Sequence, residues 1–395
     1  MESPAPVRTE GMRRDMRRFA VTFLITLGGG IALLRFFGVP ASVVVEREEN
    51  AVQCGTDACS GLATQLIGQR RDGFLLPSGE MLCVGEYSGL GPLRFGWARF
   101  TSYGGRSEDP IWCFLGCNGD IARVRRAYSV SDFSDGMALY EVTSGLLGIS
   151  YKYGYLDSDL NVIPAKFDAA RDFHEGLAAV NRGASNWNRG AVRGGKWGYI
   201  DRSGQFVIKP KFLSAYDFSE GLAVASTGAK DGYIDRSGNW VIEPVFWFAR
   251  EFSEGRAPVS TDRGWAYIGR DGQFAFDKQF YNALTFSEGL AAAADSETEL
   301  YGYINCDGDW VIQPKYCTAR PFSQGRAAVA RRVELIGTWT SKWGYIDSND
   351  RVVVPLEYSS AKPFENGIGL VYEEIDASHS RRIYFDLDGK RIEPH

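Results

Sequence analysis

Two glycines held at a fixed separation recur along this chain, and that spacing limits the possible folds more than any single residue does. Gly198 is followed by Gly221, Gly232 by Gly255, Gly302 by Gly325 and Gly344 by Gly367, each pair 23 residues apart. Gly73 to Gly96, and the substituted anchors Cys113 to Gly136 and Ala266 to Gly289, also keep 23, while Gly154 to Gly176 keeps 22. From each second glycine to the next anchor the gap instead varies from 11 to 22 residues. A constant stretch beside a variable one marks a rigid supersecondary unit whose insertions gather in one loop. With Ile383 as the last substituted anchor, nine copies fit between residues 61 and 394.

The clearest copy runs Lys196-Trp197-Gly198-Tyr199-Ile200-Asp201, then Arg202-Ser203-Gly204, then Gln205 to Pro210 and, after a bridge, Phe218-Ser219-Glu220-Gly221-Leu222-Ala223-Val224. Asp and Gly around a short turn between aromatic and β-branched runs predict a hairpin, because Asp bonds its own backbone and Gly accepts positive φ. Pro210 is read as the end of the second of these strands, since it removes a ladder donor. Each copy is therefore expected to be a three-stranded antiparallel unit that buries its face against its neighbours. Gly 46, 13% aromatic residues and only 5 Met support an all-β chain. The expected architecture is an open or curved solenoid-like array of about nine three-stranded units with atypical terminal copies as caps. The alternative is a β-propeller-like ring, in which the bridge at 212–218 would supply a fourth strand.

Ahead of the repeats, Arg13, Arg14, Arg17 and Arg18 precede an uncharged run from Phe19 to Leu34, followed by Arg35 and a second apolar patch ending at Val45. Basic flank then apolar stretch is the pattern of a signal peptide or signal anchor that leaves the body outside the cytoplasm. Sixteen helical residues cover about 24 Å, short for a hydrocarbon core of about 30 Å unless Arg35 snorkels or the span reaches Val45. Arg35 also interrupts the region a signal peptidase would read, so a transmembrane helix is favoured over cleavage after Ala41. The division expected is a basic cytoplasmic tail at 1–18, a membrane segment at 19–45, a linker at 46–60 and the repeat domain at 61–395. The net charge is -5, yet the first 35 residues carry +3, so the body is near -8. An acidic body without a basic stripe argues against nucleic acid as a partner.

Asp135, Glu175, Glu220, Glu254 and Glu288 precede the second glycine, and Gln324 and Asn366 fill the same slot later. Tolerance of amides makes this row a turn element rather than a catalytic carboxylate set. The recurring Asp157, Asp201, Asp235, Asp347 and Asp386 lack the alternating acidic spacing of a calcium loop, so no metal is expected. His174, His379 and His395 form no nucleophile pairing, so no catalytic residue and no cofactor are assigned. Outside the cytoplasm, Cys54 with Cys59, Cys113 with Cys117 and Cys306 with Cys317 are the nearest candidates for disulfides, with Cys83 left over and buried free thiols as the alternative.

Lys196-Trp197-Gly198-Tyr199-Ile200-Asp201 and Lys342-Trp343-Gly344-Tyr345-Ile346-Asp347 resemble the bacterial WG repeat. Tyr153-Gly154, Asp231-Gly232, Tyr301-Gly302, Trp265-Ala266 and Trp112-Cys113 depart from the namesake pair by one residue. The resemblance implies β-rich repeats in bacterial proteins and carries over no catalytic residue. The function expected is a membrane-anchored binding or scaffolding protein of the cell envelope, facing the periplasm or exterior. It would recognise protein or cell-wall glycan, and an envelope hydrolase with a site assembled between repeats is the alternative. Two long loops are the candidate binding sites. One carries Arg182, Trp187, Arg189 and Arg193, the other Arg331, Arg332 and Trp339, so each sets a tryptophan among arginines on an acidic body.

Overall fold

The computed structural model describes residues 20–27, 30–37, 43–48, 64–67, 72–75, 81–85, 91–102, 111–116, 120–144, 150–185, 193–335, 338–376 and 379–392. The chain divides into two units, Met1–Ala41 and Ser42–His395. In the first, Ala20–Leu27 and Gly30–Phe37 pair antiparallel over eight residues each, so this segment is a hairpin and not the expected helix. Val21, Thr22, Ile25, Thr26 and Ile31, all β-branched, together with Phe23, Phe36 and Phe37, favour extended backbone. Among the described residues no helix is long and apolar enough to cross a membrane.

The second unit is a succession of small antiparallel sheets. The three-stranded expectation is corrected in most of them by a strand drawn from the bridge. In residues 169–212, for example, the strands Ala169–His174, Leu177–Ser185, Arg193–Asp201 and Phe206–Phe212 lie side by side in chain order. The same four-strand order holds at 129–167, 214–246, 282–316, 318–358 and 360–392. The bridge cannot remain a loop, because its residues enter the core, where backbone N–H and C=O groups must be paired. Ala215 and Phe218 are buried, and Ala215 pairs with Ala225 across the ladder. A further correction concerns Val44–Glu48, placed at the membrane segment and linker. It forms the outer strand beside Ile121–Arg125, where Arg47 bonds the buried Asp120 at 2.8 Å. Three consecutive valines need a partnered edge, and this sheet supplies one.

Pro210 does not end its strand. Trp197 pairs with Phe212 and Tyr199 with Ile208, so two steps on one strand face four on the other in a bulge that carries the proline. The strand is the outermost of its sheet, where a missing N–H costs no ladder bond. The bulge explains the namesake glycine. A Cβ at Gly232 would lie 2.5 Å from the Ile242 carbonyl oxygen and 2.7 Å from the Pro244 nitrogen, so glycine gives the bulged strand the room to cross as a fully paired strand. Where the glycine is replaced, the crossing strand is held differently. Cys113 pairs in regular register with Arg123, and the Trp265-Ala266 copy, in a three-stranded sheet, keeps the offset of Trp197 with Phe212 and Ile200 with Phe206 only as isolated bridges of Trp265 with Phe280 and Ile268 with Phe274.

Successive sheets are joined by one repeated contact. Tyr155, Tyr199, Tyr233, Tyr267, Tyr303 and Tyr345 are fully buried, and each packs on a phenylalanine in the next module's first strand or in the segment just after it. Their hydroxyls donate to the carbonyls of Arg171, Tyr216, Arg250, Leu284, Arg320 and Lys362 at 2.6–2.8 Å. Burial of the phenol pushes Tyr155 and Tyr233 well above the ordinary tyrosine range. The module at 91–125 and the module at 360–392 also meet, through Arg94 and Glu365 at 3.2 Å.

Candidate functional site

The recurrent carboxylates prove to be both turn residue and stitch. Asp135, Glu175, Glu220, Glu254, Glu288, Gln324 and Asn366 all have φ between 48° and 56°, and the glycine after each is also positive, so both central turn positions are left-handed. Such a backbone costs a glutamate roughly 1 kcal/mol. The side chain offsets it by accepting the glycine N–H of the next module's turn. Glu175 accepts from Gly221 at 3.0 Å, Glu220 from Gly255 at 3.0 Å, Glu254 from Gly289 at 2.9 Å, and Glu288 from Gly325 at 2.8 Å. Gln324 does the same for Gly367 at 2.7 Å, which shows that the slot requires an acceptor of sufficient reach rather than a charge. Arg202, Arg236 and Arg270 approach Asp135, Glu175 and Glu220 from the following module, but each guanidinium is about half exposed and adds little. Glu254→Gln should therefore leave stability within about 0.5 kcal/mol, whereas Glu254→Ala should cost about 1–2 kcal/mol in urea unfolding. Equal losses would mean that charge, not acceptance, holds the seam.

The second aspartate row is local. Asp201 accepts from the N–H groups of Ser203 and Gln205 at 2.9 and 3.1 Å, and Asp235, Asp347 and Asp386 repeat the pattern. Bonds from the Ser203 hydroxyl first, then from the backbone, hold the Asp201 carboxyl below its usual range. Among the described residues no three His, Cys, Asp or Glu side chains gather as a metal site. A further acidic row escaped the sequence reading, namely Asp132, Asp172, Asp217 and Glu251, each one residue before a buried phenylalanine. Burial, reinforced by the neighbouring carboxylates, pushes Asp172 and Asp217 upward. His174 sits 3.6 Å from Asp217, and His379 bonds Asp376 at 2.8 Å.

Cys113, Cys306 and Cys317 are free thiols, which corrects the Cys306–Cys317 and Cys113–Cys117 pairings. Cys113 is packed in the core, where burial raises its thiol to about 11. Cys306 is exposed in a turn, and Cys317 donates to the Ala330 carbonyl at 3.3 Å. Cys54, Cys59 and Cys117 lie outside the described residues, as does the side chain of Cys83.

The two long loops are extensions of hairpins. Leu177–Ser185 pairs with Arg193–Asp201, and Ala327–Leu335 with Thr338–Ile346, each strand being nine residues long. Arg182 and Arg193 are exposed on the first, with the Arg182 guanidinium 5.4 Å from the Phe206 ring centre, while Trp187 and Arg189 lie outside the described residues. On the second, Arg331 and Arg332 are exposed and pair with Lys342 and Ser341, and Trp339 is 68% exposed opposite Glu334. Trp339 thus stands clear of its own hairpin. At the base of the first hairpin, Asn181 is buried with no hydrogen-bond partner for its Oδ1.

The modules between these hairpins have short loops and show an apolar row that the sequence reading missed. Leu213, Trp247 with Phe248, and Tyr281 are exposed at one recurring position, just after the last residue of each fourth strand or its substitute. Their N–H groups bond Ser226, Ser260 and Ala294, the residues at the loop end of the second strands, so the row lies on the face from which the variable loops emerge. The signal was available in the sequence as the residue that follows Phe212, Phe246 and Phe280.

A crystal structure of a eukaryotic initiation factor aligns with a TM-score of 0.53 at 9% identity, covering 78% of this chain and 87% of that one, a likeness of fold. The tricorn protease aligns with a TM-score of 0.33 at 12% identity, covering 83% of this chain and 49% of that one, so this chain spans about half its length. No curated protein matches in sequence. The family model for the WG containing repeat matches residues 153–184, 197–230, 232–265, 265–294, 301–330 and 343–374. These six copies, carried on sheets stitched by a recurring tyrosine and acceptor, make the chain a member of the WG-repeat family.

Proposed function

We propose that this is a non-catalytic binding or scaffolding protein of the bacterial cell envelope whose recognition face is the loop end of the sheets, arranged as a closed, propeller-like ring. Nine repeat copies are proposed from the sequence count. The Arg94–Glu365 contact between the outlying modules supports closure. The observation that carries the binding reading is Trp339, 68% exposed on a hairpin that also carries the exposed Arg331 and Arg332, on an acidic body. An exposed ring on a hairpin that carries guanidinium groups suits the apolar face of a sugar or an anionic protein surface, and the row at Leu213, Trp247, Phe248 and Tyr281 adds further apolar surface at the loop end. The full chain, immobilised and challenged with envelope extract and with cell-wall glycan fragments, should retain one of them. Changing Trp339 and Arg332 to Ala should abolish retention while moving the unfolding midpoint by no more than a few degrees. Undiminished retention would place recognition elsewhere.

An exported body rests on the arginines before Phe19 and the uncharged run after it. A phosphatase reporter fused behind residue 395 should be active, and a reporter that works only in the cytoplasm should be silent. The reverse pattern would refute the location.

A further inference from the structure

At each seam from 155 to 364 the tyrosine of one module meets the phenylalanine of the next, with ring centres 4.6–5.1 Å apart. The last module presents the same face. Leu370 pairs with Tyr384 and Tyr372 with Arg382, and Tyr384 follows Ile383 as Tyr345 follows Gly344. The answering position lies three residues before the second glycine. It is Phe in the modules ending their turns at Gly136, Gly176, Gly221, Gly255, Gly289, Gly325 and Gly367, but Leu93 before Gly96, preceded by Gly91 and Pro92. Where the last module meets Pro92 and Arg94 there is a cavity of about 560 Å³. That volume falls within the range of small-molecule sites, roughly 300–1,000 Å³.

The walls are of two kinds. Tyr372 offers ring surface, with only the edges of the buried Phe364 and Tyr384 reaching the wall, while Arg94, Lys362 and Arg382 set three cations against the single carboxylate of Glu365. We propose that this seam is a binding site for a small aromatic anion, its ring held between the aromatic and apolar walls and its carboxylate or phosphate facing Lys362 and Arg382. Charge-assisted bonds supply orientation, and apolar burial supplies most of the affinity. This site lies between two modules and not on the loop face, so it does not rest on the binding role proposed above.

The full chain is titrated with 1-anilinonaphthalene-8-sulfonate as the fluorescent probe. One saturable site is expected, displaced by phenyl phosphate or benzoate and not by benzyl alcohol or inorganic phosphate. Lys362→Glu and, separately, Arg382→Gln should each weaken the probe by about tenfold or more with the unfolding midpoint kept. Trp339→Ala should leave probe affinity unchanged, which separates this site from the loop face. Absence of a saturable site, equal displacement by benzyl alcohol, or indifference to both charge variants overturns the proposal.

Discussion

Tyr303→Ala should destabilise the protein by about 3–5 kcal/mol, because it empties a fully buried ring site and removes a seam bond together. The phenol is 4.7 Å, centre to centre, from Phe322 of the next module and donates to the Arg320 carbonyl at 2.7 Å. Tyr303→Phe separates the two effects. It keeps the ring and leaves that carbonyl without its donor, at a cost of about 1–3 kcal/mol. Urea unfolding of the full chain gives both values. A Phe variant as damaged as the Ala variant would make the hydroxyl, not the ring, the larger stabiliser, and an unchanged Ala variant would remove this tyrosine from the core.

The two glycines of one module should respond very differently to alanine. At Gly302 a Cβ would run into the Ile312 carbonyl oxygen and come within 2.8 Å of the Pro314 nitrogen, both backbone atoms that cannot swing aside. Gly302→Ala should cost about 3 kcal/mol or more, since the bulged strand must lift off. Gly289 has φ +79° and nothing within 4 Å of the point a Cβ would occupy, so Gly289→Ala meets only left-handed strain, about 1–2 kcal/mol. Valine there remains within about 3 kcal/mol. Equal costs at the two sites would mean that the crossing strand yields, and would remove the steric reason for the namesake glycine.

These glycines also mark how far the sequence could be read. Periodicity located the module, its hairpin turns and its variable loop, because the chemistry of a turn such as Asp201 to Gln205 is local, the aspartate bonding within a few residues of itself. The fourth strand was harder, since Ala215 and Phe218 carry no alternation strong enough to separate a short edge strand from a loop. The proline misled for a related reason. Whether Pro210 ends a strand or bends through it depends on the partner strand, and only the register of Trp197 with Phe212 reveals the bulge. The stitch from Glu175 to Gly221 spans 46 residues and depends on a neighbouring turn, so the sequence showed the row but not its reach. The candidate hairpins were legible as arginine and tryptophan in an acidic chain. For the apolar row at Trp247 and Tyr281 the sequence marks only the recurring position after Phe246 and Phe280, because exposure of an aromatic residue is a property of its surroundings.

The second strand of each module begins at the acceptor turn and ends at the variable loop, as Leu177–Ser185 does after Glu175 and Gly176. What binds module to module and what differs between modules are thereby kept a full strand apart. The stitched end is insulated from whatever happens at the other. A loop can lengthen from the four residues between Ser226 and Asp231 to the paired extension beyond Arg331 without disturbing a single acceptor. Loops are in that sense interchangeable parts, and one scaffold of this kind can carry many different recognition surfaces at no expense to its assembly.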